Sequence, residues 1–211
     1  MKKMEVCDLA HARSLINVSQ AFAEATEILD GYSIGHQRRV AKLSEAICYQ
    51  LNLSEEETTA VAFAAAVHDV GKIAVPGEIL RRPSSLSGPE WGLVKVHASA
   101  GYDLLNEGSF EFPIAEYVLQ HHERLNGCGY PRGLRGEEIL LGARIIAVAD
   151  ALEVIVSGRQ YQEAKTIEEA LSVLGNSVPD EFDRKVMDAC SRACAAGFEF
   201  GQEVTSFFES R

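Results

Sequence analysis

At 211 residues the chain is long enough for one domain with a sizeable core and short for two. Its 46% hydrophobic content excludes a disordered chain, and a formal charge of −11 excludes a broad nucleic-acid-binding face, which needs a basic stripe. An anionic small molecule stays compatible with that charge where cations or metal ions are concentrated locally.

The opening Met1-Lys2-Lys3-Met4-Glu5-Val6 lacks the apolar run of a signal peptide, and no stretch approaches the about 20 apolar residues of a membrane span. Five cysteines (Cys7, Cys48, Cys128, Cys190 and Cys194) form no disulfide framework and no CxxC pair. A reducing cytoplasm is the expected setting.

In chain order, apolar residues recur at helical spacing over 15–29, 40–51, 58–67, 91–105, 114–119, 139–156 and 186–208. Strict alternation, the mark of a half-buried strand, is missing over any useful length. Ser33 stands where an N-cap belongs, and Ser54 repeats the pattern with Glu57 three residues on. Ser87 ahead of Pro89 and Glu90 predicts another capped start. Breakers gather at Val75-Pro76-Gly77, at Arg82-Pro83-Ser84 and from Asn126 through Pro131, which read as loops between helices. The expectation is a single all-α domain.

The six histidines are His11, His36, His68, His97, His121 and His122. The last five recur at roughly the length of a helix–loop–helix unit, so successive hairpins could each send a ligand to one point. Asp69 follows His68, and Asp150 is a charge inside the apolar run Ile146-Ala147-Val148-Ala149-Asp150. A carboxylate in such a run persists mainly when paired or bound to metal. His11 reads as an ordinary surface or core residue. His36 or His97 alone would read the same way, but the joint pattern does not.

These segments carry a resemblance. Asp30-Gly-Tyr-Ser-Ile-Gly-His36, His68-Asp-Val-Gly-Lys72, His97-Ala-Ser-Ala-Gly101, His121-His-Glu-Arg124, Gly129-Tyr-Pro131 and Val148-Ala-Asp150 together resemble the HD-GYP family, a branch of the HD phosphohydrolase superfamily. Arg159-Gln-Tyr161 and Glu168-Glu-Ala-Leu171 continue the pattern more loosely. The similarity spans 30–186, with 1–29 as an N-terminal helix or extension and 187–211 as a helical tail. It implies a helical HD-type domain with the metal site among core helices and a glycine-rich GYP loop beside it.

The resemblance further implies a binuclear centre. One ion would take His36, His68, Asp69 and Asp150, the other Asp69, His97, His121 and His122, with Asp69 bridging. Imidazole and carboxylate ligands suit iron or manganese, other divalent ions being possible, and no thiolate joins the set. Two ions about 3.5–4 Å apart lower the pKa of a bridging water and neutralise a phosphodiester, so no protein nucleophile is needed. Asp69 and Lys72 are the expected catalytic residues. Lys72, four residues after His68, is placed to reach a phosphate oxygen, against the plainer reading of a solvated helix-end lysine. In relatives, the counterpart of Arg159 grips the phosphate from the other side. Tyr130 lines the pocket or packs the loop, with packing and a docking surface favoured.

The function so implied is hydrolysis of a cyclic dinucleotide, cyclic di-GMP foremost, in a bacterial signalling pathway. Polymeric nucleic acid and membrane are not expected partners, whereas a signalling protein at the GYP loop is. Several residues depart from the family pattern. Glu153 stands for the usual Asp, Asn126 for an Asp, and Gln162 for a cation in the altered stretch 156–162, while Tyr32 replaces the Glu that supplies a third metal site in some relatives. Glu153 matters if that group orients a ligand from behind. The alternatives are a metal-retaining module that is weakly active or inactive and binds nucleotide or docks a partner, a phosphohydrolase for another nucleotide, and a purely structural helical protein. Cys190 and Cys194 are a possible zinc pair, with two small buried hydrophobes preferred.

Overall fold

A computed structural model describes residues 21, 23–29, 34–82, 84–158 and 164–200. Within them, residues 23–29 form α1, followed by α2 (His36–Gln50), α3 (Glu55–Ala66), α4 (Gly77–Leu80), α5 (Gly88–Asn106) and α6 (Ile114–Gln120). Then come α7 (Leu141–Ser157), α8 (Ile167–Gly175) and α9 (Arg184–Ala195). Short 3-10 turns occupy Val70–Ala74 and Gly136–Glu138. Among the described residues there is no strand, only an isolated bridge between Asn126 and Arg135.

Helix α7 is the axis of the core. Ile145, Ile146, Val148, Ala149 and Leu152 are all fully buried, as expected of a helix apolar on nearly every side. Helix α2 packs against α3, α7 and α9, sending Val40, Leu43 and Ile47 into the same cluster. Helix α5 lies against the Val70–Ala74 turn and α6. Gly71 makes that approach possible: a Cβ there would stand 1.9 Å from the His97 carbonyl oxygen and 2.4 Å from Gly101 N. The turn that carries Asp69 and Lys72 is thereby pressed onto the helix that carries His97.

The expected capping boxes at Ser54/Glu57 and Ser87/Glu90 are both present. The start of α2 differs from expectation. Ser33 lies outside the described residues, and the N-cap is Gly35, at φ 74°. Its acceptor comes from α1, where Glu27 takes the N–H of Gly35 at 2.7 Å and of Gln37 at 2.9 Å. The helix expected over 186–208 ends at Ala195, because Gly197 turns left-handed at φ 96°. Phe198 and Phe200 then fold back onto the core. Helix α8 was not anticipated from periodicity; Thr166 and Glu169 form its capping box. Cys190 is buried in the core and Cys194 partly so, in keeping with small hydrophobes.

Candidate metal centre and cleft

Five imidazoles and two carboxylates from five segments meet at the buried end of a cleft. His36 opens α2, His68 and Asp69 lie between α3 and the first 3-10 turn, and His97 sits midway along α5. His121 ends α6, His122 follows it, and Asp150 projects from the middle of α7. Ring centroids run in a chain: His36 to His68 5.3 Å, His68 to His121 5.0 Å, His121 to His97 5.4 Å, and His97 to His122 5.0 Å.

The two oxygens of Asp69 divide between two groups of imidazoles. Oδ2 lies 3.5 Å from His68 Nε2 and 3.9 Å from His36 Nε2, while Oδ1 lies 3.5 Å from His97 Nε2. His36, His68 and Asp69 form one set of donor atoms all within 4.8 Å of one another; His97, His121 and His122 form a second. Asp150 Oδ1 adds to the first at 3.3 Å from His36 Nε2.

Tautomers are fixed from behind. His68 Nδ1 faces the Ala65 carbonyl at 2.8 Å, His97 Nδ1 that of Val94 at 2.7 Å, and His121 Nδ1 that of Val118 at 2.5 Å. A carbonyl only accepts, so each Nδ1 carries the proton and each Nε2 presents a lone pair to the centre. The Nε2 atoms of His97 and His121 are therefore two acceptors facing each other at 3.4 Å. His36 Nε2 is buried without a hydrogen-bond partner. Confronted lone pairs and an orphaned ring nitrogen, flanked by carboxylates, are what a cation satisfies. This donor set fits divalent metal.

Charge supports the same conclusion. Burial lowers the His68, His121 and His122 imidazoles, and for His121 the charges of His68 and His97 help bring it to about 3. They stay neutral near pH 7, the form that binds metal. Burial would raise Asp69 and Asp150. Lys72 for the former and His36 for the latter lead the charges that overturn this and hold both carboxyls well below the usual range. Burial likewise lowers His36, but Asp150 and Glu153 reverse that and lift it to about 10, so without metal a proton holds the place between the carboxylates that a cation at Nε2 would take.

Lys72 is buried, not a solvated helix-end lysine, and its Nζ lies 2.8 Å from Asp69 Oδ2. It lines the cleft together with His68, Asp69, His97, His122 and Asp150. Tyr130 also lines it, and at the same time packs: its ring centroid is 4.7 Å from that of His122, with Lys95 Nζ 5.0 Å above the ring. The phosphate contact expected from Arg159, the departure at Gln162 and the comparison at Tyr32 fall outside the described residues, as does His11.

Two supporting acids stand behind the centre. Glu153 Oε2 meets His36 Nδ1 at 2.5 Å, an orienting contact from behind the ring. Its other oxygen accepts from Arg39 Nε at 2.8 Å and from the Ser157 hydroxyl at 2.5 Å. Glu123 was missed as a residue with a task of its own. Buried next to His122, it accepts the N–H groups of Arg132, Gly133 and Leu134 at 2.7, 3.1 and 3.0 Å, tying down the GYP loop. The available signal was an acid directly after two histidines and before a glycine loop. Gly129 completes the arrangement, since a Cβ there would stand 2.4 Å from Glu123 Cα. Among the described residues, no helix is long and apolar enough to cross a membrane.

Comparison with known proteins agrees with this geometry. The HD domain family model matches residues 15–186. The chain is 41% identical over 175 residues to the cyclic di-GMP phosphodiesterase response regulator RpfG of Xanthomonas campestris, covering 82% of this chain and 46% of that protein. It is 34% identical over 173 residues to 3'3'-cGAMP-specific phosphodiesterase 3 of Vibrio cholerae, covering 82% and 38%. The chain thus spans less than half the length of these curated relatives. Among solved structures, Bd1817, a HDG"Y"P protein of Bdellovibrio bacteriovorus, superposes with a TM-score of 0.62 at 22% identity, over 76% of this chain and 51% of that one. At that identity the likeness speaks for the fold. The chain is a member of the HD domain family.

Proposed function

We propose that the chain is a metal-dependent phosphodiesterase that opens a cyclic dinucleotide, cyclic di-GMP first, at a pair of divalent ions, iron or manganese. The observation that carries this reading is the split of Asp69, one oxygen toward His36 and His68 and the other toward His97. A single carboxylate between two imidazole groups is the arrangement a bridging ligand needs. Relatives named as phosphodiesterases of cyclic di-GMP and of cGAMP support the substrate class.

Bound ions would supply a water of lowered pKa and neutralise phosphate charge. The chain's own residues do the rest. The Nδ1–H bonds of His68, His97 and His121 to backbone carbonyls hold their rings in one tautomer and one orientation. Lys72, at the cleft wall, donates to a phosphate oxygen that enters beside Asp69, where burial strengthens the contact. Tyr130, braced by His122 and Lys95, shapes the entrance.

The contact between Glu153 and His36 supports a metal-binding centre despite the departure at that position, and relatives named as phosphodiesterases favour turnover over an inert docking module. Free thiols at Cys48, Cys128, Cys190 and Cys194 accord with a reducing cytoplasm, and the exposed rim of the GYP loop with a signalling partner. The test is anaerobic incubation of iron- or manganese-loaded protein with cyclic di-GMP, mixed cyclic GMP–AMP and cyclic di-AMP. A linear dinucleotide or mononucleotide from cyclic di-GMP is expected. Loaded protein that leaves all three intact would overturn the reading.

A further inference from the structure

The cleft has an apolar lining that the proposed chemistry does not use. It comes from α4, the approach to α5 and the first turns of α5, as Ile79, Leu80, Leu86, Trp91 and Val94. Leu86 and Trp91 occupy the N′ and N4 positions around the Ser87 cap, the pair that a hydrophobic staple uses. A staple formed by that pair would cover one side of the indole at most. Trp91 is 46% exposed, a costly placement for so large an apolar group.

The other large aromatic ring of the cleft is already engaged, Tyr130 lying against His122 and beneath Lys95. Trp91 is therefore the aromatic residue of the described cleft lining that still presents a broad π-surface. Asp69 and Lys72 line the same cleft, so a ligand with a phosphate at one end and a planar ring at the other meets a partner for each.

We infer that Trp91 is the base-stacking residue of this site, holding a purine of the cyclic dinucleotide on its indole while a phosphate faces Asp69 and Lys72. The inference rests on the cyclic-dinucleotide reading above and adds the residue that sets affinity. Every base has a π-face, so stacking here strengthens binding without selecting guanine over adenine.

Trp91 is the chain's one tryptophan, so its fluorescence reports this position alone. In stopped flow, mixing metal-loaded protein with cyclic di-GMP quenches the emission before turnover. Ribose 5-phosphate, which offers a phosphate and no base, leaves it unchanged. In steady state, Trp91→Leu keeps an apolar residue at the staple position yet raises KM about tenfold, with kcat within about twofold, for cyclic di-GMP and mixed cyclic GMP–AMP alike. Trp91→Phe falls between. Hydrolysis by the parent protein, with no quenching and an unchanged KM in Trp91→Leu, overturns the stacking role and leaves the enzymatic reading intact. Quenching by cyclic di-GMP without hydrolysis of any cyclic dinucleotide does the reverse. If Trp91→Leu lowers the melting temperature, the fluorescence of the parent protein still decides.

Discussion

Glu153 Oε2 stands 2.5 Å from His36 Nδ1, while the opposite nitrogen of that imidazole faces Asp150 and Asp69. The ring is thus held between an orienting acid and two acids of the candidate centre. Arg39 and Ser157 hold the second oxygen of Glu153, so the first is aimed rather than free to rotate. Contacts of this kind fix the tautomer of a metal-binding histidine and raise its basicity.

Glu153→Gln is expected to weaken metal binding about 10–100-fold, because one amide oxygen cannot serve both His36 and Arg39 as a carboxylate does. Glu153→Asp, which restores the charge, recovers most of the loss. Competition with a fluorescent chelator measures both. Equal affinity in all three proteins would remove Glu153 from the metal account.

Lys72→Met is expected to lower kcat for cyclic di-GMP about a hundredfold, the loss of one buried donor to developing charge. Metal content stays as in the parent protein, since the lysine is not a ligand. A variant of unchanged kcat would show that the ammonium serves only to neutralise Asp69.

Glu123→Ala withdraws the acceptor of three backbone N–H groups in the GYP loop. Stability should fall by about 1–3 kcal/mol. Hydrogen exchange at residues 132–134 should accelerate while exchange in the core of α7 holds. Unaltered exchange in the loop would mean that other contacts fix it.

Glu90 gives a pH signature at the start of α5. Its carboxylate accepts from the Ser87 N–H, the Ser87 hydroxyl and Arg82, which bring it from its ordinary 4.5 to about 2. A folded-state value below the unfolded one means stabilisation that is complete above about pH 4.5 and lost as pH falls through about 2. The melting-temperature gap between the parent protein and Glu90→Gln should therefore be constant at neutral pH and shrink on acidification. A gap that widens toward pH 2 would contradict this sign.

The helices and the ligand pattern could be read from the sequence because both are periodic or local. Apolar residues at helical spacing placed α2, α3, α5, α6 and α7 close to their observed bounds. The five histidines and two aspartates expected at the centre do come together. What escaped were contacts between distant residues that leave no local trace: Glu27 capping α2, Glu123 holding the GYP loop, and Gly71 allowing the Asp69 turn onto α5. The overlong final helix is a different matter. Gly197 is a visible stop signal, and the apolar residues beyond it carry the helical spacing past the true end.

The most direct test of the account is the metal content of freshly purified, anaerobically handled protein, measured by elemental analysis against Asp69→Asn. The parent chain should carry about two iron or manganese ions, and the variant at most one, because its bridging oxygen is lost. A parent protein without bound metal after loading, or an Asp69→Asn variant with the full complement, would contradict the claim that Asp69 joins two ions.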